Sequence, residues 1–112
     1  MARYLLFGKY NATSAAAINR DGMVSRRKVM DDVCRGLGGK MVDCYAVAVP
    51  NEYDFVITMD HDSMLSPGQM MALNLTTSGS GGFERAMLVM LASFEEVDEA
   101  RDSMPAYSPP GR

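Results

Sequence analysis

Residues 3–10, Arg-Tyr-Leu-Leu-Phe-Gly-Lys-Tyr, carry apolar side chains at both parities of an extended chain. Successive side chains of a strand point to opposite faces, so a run apolar on both sets belongs to a strand covered on both sides. The segment predicts a central strand of a layered domain, with material above it and below it. The 112 residues suit one such domain rather than two. A domain of this length buries about two-thirds of its unfolded surface, enough for a core without disulfides or a structural metal. Eleven Met and no Trp place flexible thioethers in that core.

The remaining segments supply the layers. Thr13 or Ser14 caps a short helix running through Ala15 to Asn19, and Asp21-Gly22 punctuates it. Ser25 caps a second helix, in which Val29, Met30, Val33, Cys34 and Leu37 make one stripe. Gly38-Gly39 ends it. Residues 40–49 read as a strand with Met41, Asp43 and Tyr45 on one face and Val42, Cys44 and Ala46 on the other. A turn at Pro50-Asn51-Glu52, with Asn tolerant of positive φ, returns the chain as an antiparallel strand at residues 53–59. Asp60-His61-Asp62 opens a loop. Ser66-Pro67-Gly68-Gln69 then starts a helix that reaches about Leu75. Residues 77–82 predict a mobile Gly- and Ser-rich loop, and residues 83–92 a fourth strand. Ser93 with Glu96 forms another capping box, and Pro105 ends the helix behind it. Residues 1–104 make a single domain and residues 105–112 a disordered tail.

The order βαββαβ with a C-terminal helix is the split βαβ signature of a ferredoxin-like α+β fold. Its four-stranded sheet is antiparallel, with the first and third strands central and the main helices on one face. The other face is too apolar to remain wet, since patches of that size mark interfaces. It predicts packing against a second copy of the chain, a homodimer or higher homo-oligomer.

Lys plus Arg total 11 and Asp plus Glu 14, a net charge of −3, which gives no electrostatic basis for a nucleic-acid partner. The one basic cluster, Arg26-Arg27-Lys28, precedes Asp31-Asp32 and reads as a solvated helix face with Arg27–Asp31 and Lys28–Asp32 pairs. Cys34 and Cys44 lack metal-ligand spacing, so no zinc site is expected, and both read as small buried hydrophobes. No run approaches the ~18 apolar residues of a membrane span, and the N-terminus lacks a signal peptide's apolar region. The expected compartment is the cytoplasm, with no membrane partner.

Tyr4-Leu5-Leu6-Phe7-Gly8-Lys9-Tyr10, then Gly38-Gly39-Lys40, Tyr45 and Glu52-Tyr53-Asp54-Phe55-Val56, in that order and spacing, resemble the GYD family. The resemblance covers roughly residues 3–94. The chain departs from it at Asn51, where the family usually has Gly, and Asn is the next best residue for that backbone conformation. The resemblance implies a ferredoxin-like chain whose sheets pair into a dimeric α/β barrel. That group includes cofactor-free monooxygenases, muconolactone isomerases and ligand-sensing domains. Chemistry carried over from those relatives would be analogy at the level of fold.

Asp54 is the sharpest candidate for chemistry. A carboxylate at the mouth of a sheet pocket can serve as a base; equally, Asp closes turns by accepting backbone N–H bonds or pairs with a lysine such as Lys9. His61, the only histidine, invites an acid–base or metal reading, against that of a solvent-facing loop residue. Three adjacent residues, Asp60-His61-Asp62, cannot all converge on one ion, so no metal site is expected. Tyr4, Tyr10, Tyr45 and Tyr53 either line a pocket for an apolar or aromatic ligand or serve core and dimer packing. The Gly-rich residues 77–82 precede a strand and lack a Lys-Ser/Thr ending, which argues against a phosphate cradle. Two functions follow. One is a homo-oligomeric small-ligand-binding or structural α/β-barrel protein. The other is a cofactor-free oxygenase or isomerase acting on a small aromatic or lactone between sheet and helices. Neither calls for a cofactor.

Overall fold

The computed structural model describes residues 1–111. The elements are β1 (Ala2–Tyr10), α1 (Ala12–Asp21), α2 (Ser25–Gly36), β2 (Gly39–Ala46), β3 (Phe55–His61), α3 (Pro67–Gly79), β4 (Phe83–Leu91) and α4 (Phe94–Arg101). The sheet is antiparallel with strand order β2-β3-β1-β4, so β1 and β3 are central. This is the α+β, ferredoxin-like-compatible arrangement expected from the sequence, with its C-terminal helix.

The helix starts follow local hydrogen bonding, and two of them differ from the sequence reading. Asn11, not Thr13 or Ser14, caps α1: its Oδ1 accepts the Ser14 N–H at 2.9 Å. Ser25 is the first helical residue of α2 and caps nothing. The preceding turn already engages the first N–H groups, Arg26 N–H donating to Met23 C=O and Arg27 N–H to Val24 C=O. The capping boxes at Ser66–Gln69 and Ser93–Glu96 form as expected. α3 outruns the expected stop at Leu75 because Thr77 Oγ1 donates to the carbonyls of Leu73 and Asn74, both at 3.0 Å. The segment read as a mobile loop is then tied down: Asn11 donates to the carbonyl oxygens of Gly81, through Nδ2, and Gly82, through its N–H. Gly38, at φ +83°, closes α2 in a conformation that L side chains rarely adopt.

The β2–β3 connection is longer than a three-residue turn. β2 stops at Ala46, β3 begins at Phe55, and residues 47–54 bridge them. Asn51 does not take positive φ, which among the described residues occurs only at Gly. A register shift between Met41 and Asp43 also breaks the expected alternation of β2. Met41 and Cys44 therefore register with the inward Met59 and Ile57, while Asp43 and Tyr45 register with Thr58 and Val56 on the opposite face.

The core lies between the sheet and its helices. Tyr4, Ile57, Met59, Leu65 and Cys34 are the most deeply buried residues. Burial pushes the Cys34 thiol up to about 11, so it behaves as a small hydrophobe. The Tyr4 hydroxyl accepts the Leu65 N–H at 3.0 Å, which anchors the loop before α3 onto β1.

The second face of the sheet has no layer over it. Leu5, Phe7, Val56, Thr58 and Val89 are half-buried there, and Met87 and Tyr45 are 41% and 66% exposed. Charged pairs rim the patch at both ends. Arg3 forks onto Asp60 at 2.7 and 2.9 Å, and Lys9 meets Asp54 at 3.1 Å. α4 does not cover this face; every residue of it is exposed, Phe94 to 87%. The chain exposes 8014 Å², against roughly 6,100 Å² for a compact monomer of this mass. Its radius of gyration is 17.3 Å, against about 13 Å for a compact chain of this length. Residues 105–109 form no regular element, and Arg112, part of the expected tail, lies outside the described residues. No helix among the described residues is long and apolar enough to cross a membrane.

Candidate functional site

The helix layer does not close over the middle of the sheet. α2 packs on β2 and α3 packs on β4, the two edge strands. The gap between the helices leaves a cleft above β1 and β3, of about 150 Å³. Val29, Met30 and Val33 of α2 form one wall, and Met70 and Leu73 of α3 the other. Leu6, Phe55, Ile57, Phe83 and Leu88 pave the floor. Helical spacing puts the α2 residues on one stripe, and only Met30 among these three is fully buried.

Aromatic rings fix one end of the floor. Tyr10 and Phe83 stack with centroids 5.3 Å apart, and Phe55 lies 5.3 Å from Tyr10 and 5.9 Å from Phe83. Arg26 stands at this end and also lines two adjoining cavities, one over Cys44 and Ala46 and one under α1 beside Ile18. Burial raises the Tyr10 phenol, and the nearby Arg26 guanidinium opposes that shift. The phenol therefore stays a protonated hydroxyl at neutral pH.

The sequence candidates fall at separate places. Both oxygens of Asp54 are occupied: Oδ1 by Lys9 Nζ at 3.1 Å and Oδ2 by the Tyr10 N–H at 2.9 Å. Asp54 N–H also donates to Gly8 C=O, and its carbonyl accepts from Val47 N–H. These bonds tie the 47–54 connection to β1. His61 is the last residue of β3 rather than part of a loop. Its Nδ1 accepts the Ser63 N–H at 3.1 Å, so the ring proton sits on Nε2, which donates to Leu37 C=O at 3.1 Å. Asp54 and His61 flank the two ends of β3, roughly 20 Å apart at the rise of a strand, and share no substrate position.

The four tyrosines also divide. Tyr4 is fully buried with its hydroxyl satisfied, and Tyr10 stacks on Phe83 at the end of the cleft and lines the two adjoining cavities. Tyr45 and Tyr53 lie on the other side of the sheet. Tyr53 leaves the face expected for it because β3 starts only at Phe55; its ring packs 5.5 Å from Phe7, under the guanidinium of Arg85. Arg85 also donates twice to Glu52 C=O, at 2.7 and 3.1 Å.

Two members of the cleft were missed in the sequence. Arg26 shares its charge with the solvated run Arg26-Arg27-Lys28, yet it precedes Met30 by four residues and so extends the buried stripe of α2 by one turn. The pairing of that face is also different in part: Lys28 meets Asp32 as expected, but Asp31 pairs with Arg35 instead of Arg27. Phe83 carried a weaker signal, an aromatic opening a strand. Among the described residues, no three His, Cys, Asp or Glu side chains gather as metal ligands.

The cleft is a mostly apolar slot whose polar lining residues are Arg26, Asn74 and Thr77, and no two carboxylate, imidazole or thiol groups converge in it. A scan against protein-family models finds no match to the chain, and a search of curated proteins finds none either.

Proposed function

We propose that the chain is a cytoplasmic, GYD-like homodimer that holds a small apolar or aromatic molecule in the cleft between α2, α3 and the sheet. The carrying observation is the cleft itself, an apolar gap of about 150 Å³ over the central strands. Cavities of that size lined by aliphatic and aromatic groups accept a benzene-sized body. The oxygenase or isomerase alternative would need a general acid or base such as Asp54 or His61 at the substrate, and the polar residues that line the cleft, Arg26, Asn74 and Thr77, include no carboxylate, imidazole or thiol.

The partner is read from area. The chain exposes roughly 2,000 Å² more than a compact monomer of its mass. A standard interface removes about 800 Å² per partner and an obligate one 1,000 Å² or more. The uncovered sheet face, with an apolar middle and a charged rim, is the surface best suited to such an interface. A second copy offers the same patch in return, the self-complementarity of a two-fold interface.

An NMR titration with toluene tests the ligand site. Saturable shifts confined to the methyls of Val29, Met30, Val33, Met70 and Leu73 are expected. No shift up to the solubility limit of toluene, or shifts only on the uncovered sheet face, would overturn the cleft as the binding site.

A further inference from the structure

A purely apolar ligand would leave the Arg26 charge in the cleft without an anionic partner. Arg26 Nε is shielded from solvent and has no hydrogen-bond partner among the described residues. None of the ion pairs among the described residues includes Arg26. Asp21, the one acid that shares a cavity with Arg26, pairs with Arg20 at 3.0 Å, and the acids of α2 and of the 47–54 connection are engaged too: Asp31 with Arg35, Asp32 with Lys28 at 3.0 Å, and Asp54 with Lys9 and the Tyr10 N–H. A guanidinium partly withdrawn from water without an anion is costly, and such groups are normally found paired.

The surroundings favour an anion more than they favour Arg26 itself. Arg26, Arg27 and Lys28 all fall in the first turn of α2, which contains no acid. Cations at that end oppose the helix dipole, whereas a negative group there is stabilised. Arg27 joins Arg26 on the recess over Cys44 and Ala46, and no carboxylate lines that recess. Tyr10 reaches the same recess and lies close enough to Arg26 for the guanidinium to act on its phenol. From this point the apolar slot runs away between Val29, Val33, Met70 and Leu73.

We propose that the cleft takes a small carboxylic acid with an aromatic or aliphatic body, its carboxylate held by Arg26 and the Tyr10 hydroxyl and its apolar part between α2 and α3. The proposal rests on the cleft reading above and adds the charge and polarity of the occupant. A guanidinium presents two parallel N–H donors to a carboxylate, and a phenol O–H adds a third from the side. A single benzene-sized ring fills the volume, so the acid is of the benzoate or short-chain fatty acid class rather than a larger polycycle.

The test is an NMR titration of the full chain with four probes: sodium benzoate, benzamide, toluene and inorganic phosphate. Benzoate is expected to bind about tenfold more tightly than benzamide, because only the acid makes charge-assisted bonds. Arg26→Gln is expected to weaken benzoate about tenfold and to leave toluene unchanged, whereas Arg26→Lys restores part of the loss. Arg35→Ala, in the last turn of α2 and outside the slot and its recess, is expected to change benzoate binding by no more than about twofold. Equal binding of benzoate, benzamide and toluene would keep the cleft and remove the anion site. Phosphate competing as strongly as benzoate would show an anion site with no use for the apolar slot and overturn the carboxylic-acid class. Binding by none of the organic probes would remove both readings together. Circular dichroism establishes that Arg26→Gln is folded; should it be unfolded, the benzoate-to-benzamide ratio of the unaltered protein decides.

Discussion

Replacing Gly8 with alanine drives a methyl group into the aromatic floor of the cleft. An ideal Cβ at Gly8 would lie 2.3 Å from Phe55 Cζ, 2.5 Å from Phe55 Cε1 and 3.1 Å from Phe83 Cε1. Carbon atoms in ordinary contact stand about 3.5–4.0 Å apart, so the Phe55 ring must retreat by more than ~1 Å. It has nowhere free to go, since Phe55 is buried and its ring is flanked by those of Tyr10 and Phe83. Overpacking costs about 1–3 kcal/mol, and an overlap as close as 2.3 Å belongs in the upper half of that range, roughly 2–3 kcal/mol. The stiffer unfolded chain of the alanine variant returns roughly 0.4–1 kcal/mol. The net loss is on the order of 1–2 kcal/mol, a fall in Tm of about 4–15 °C for a domain of this size. Thermal unfolding followed by circular dichroism measures it, at one fixed chain concentration because assembly shifts Tm by mass action. Phe55→Leu in the same background shortens the ring side chain and should recover part of the loss, giving a coupling of about 1 kcal/mol in the double-mutant cycle. A Gly8→Ala variant within about 2 °C of the unaltered protein, well below the shift expected for 1 kcal/mol, would refute the close approach of Phe55 to β1. Strict additivity with Phe55→Leu would do the same.

Other outcomes follow from the hydrogen-bond geometry. Tyr4→Phe leaves the Leu65 N–H buried without its acceptor and should lower the stability from urea denaturation by about 1–3 kcal/mol. Asp54→Asn removes the ion pair to Lys9 and turns a donor toward its ammonium, for a loss of about 1–2 kcal/mol in the same assay, with toluene binding in the cleft retained. The Arg3 fork holds the Asp60 carboxyl below its ordinary value, and the hydrogen bonds from Ser93 do the same for Glu96. Both folded pKa values lie below the unfolded ones, so the stabilisation is complete above the unfolded carboxylate range near pH 4 and fades as pH falls through the folded values. Denaturation midpoints measured between neutral and acid pH should decline across that range, and Arg3→Gln should flatten the part due to Asp60.

Most of the fold was legible because its signals are local. The capping boxes at Ser66 and Ser93, the two-sided apolar run of β1 and the Gly38-Gly39 stop each act within one turn or one strand. What the sequence hid depends on contacts distant along the chain. The register shift near Val42 is set by pairing with β3, and it reverses the faces of Asp43 and Tyr45 relative to Met41. The late start of β3 is set by Lys9 and Gly8, which hold Asp54 to β1 and carry Tyr53 to the far face. The same limit split the site. Four tyrosines can be counted in a chain, but only the sheet decides that Tyr4 and Tyr10 lie on one side and Tyr45 and Tyr53 on the other. Arg26 was within reach, since the spacing of Met30 and Cys34 extends back to it; its charge, read with Arg27 and Lys28, masked the period.

Sedimentation equilibrium at micromolar chain concentration addresses the central claim, that the uncovered face of the sheet closes on a second copy. The unaltered protein should sediment with twice the chain mass. Val89→Glu, which sets a carboxylate beside Leu5 in the middle of that face, should sediment as a folded monomer. A single-chain mass for the unaltered protein, or a dimer undisturbed by Val89→Glu, would contradict the account.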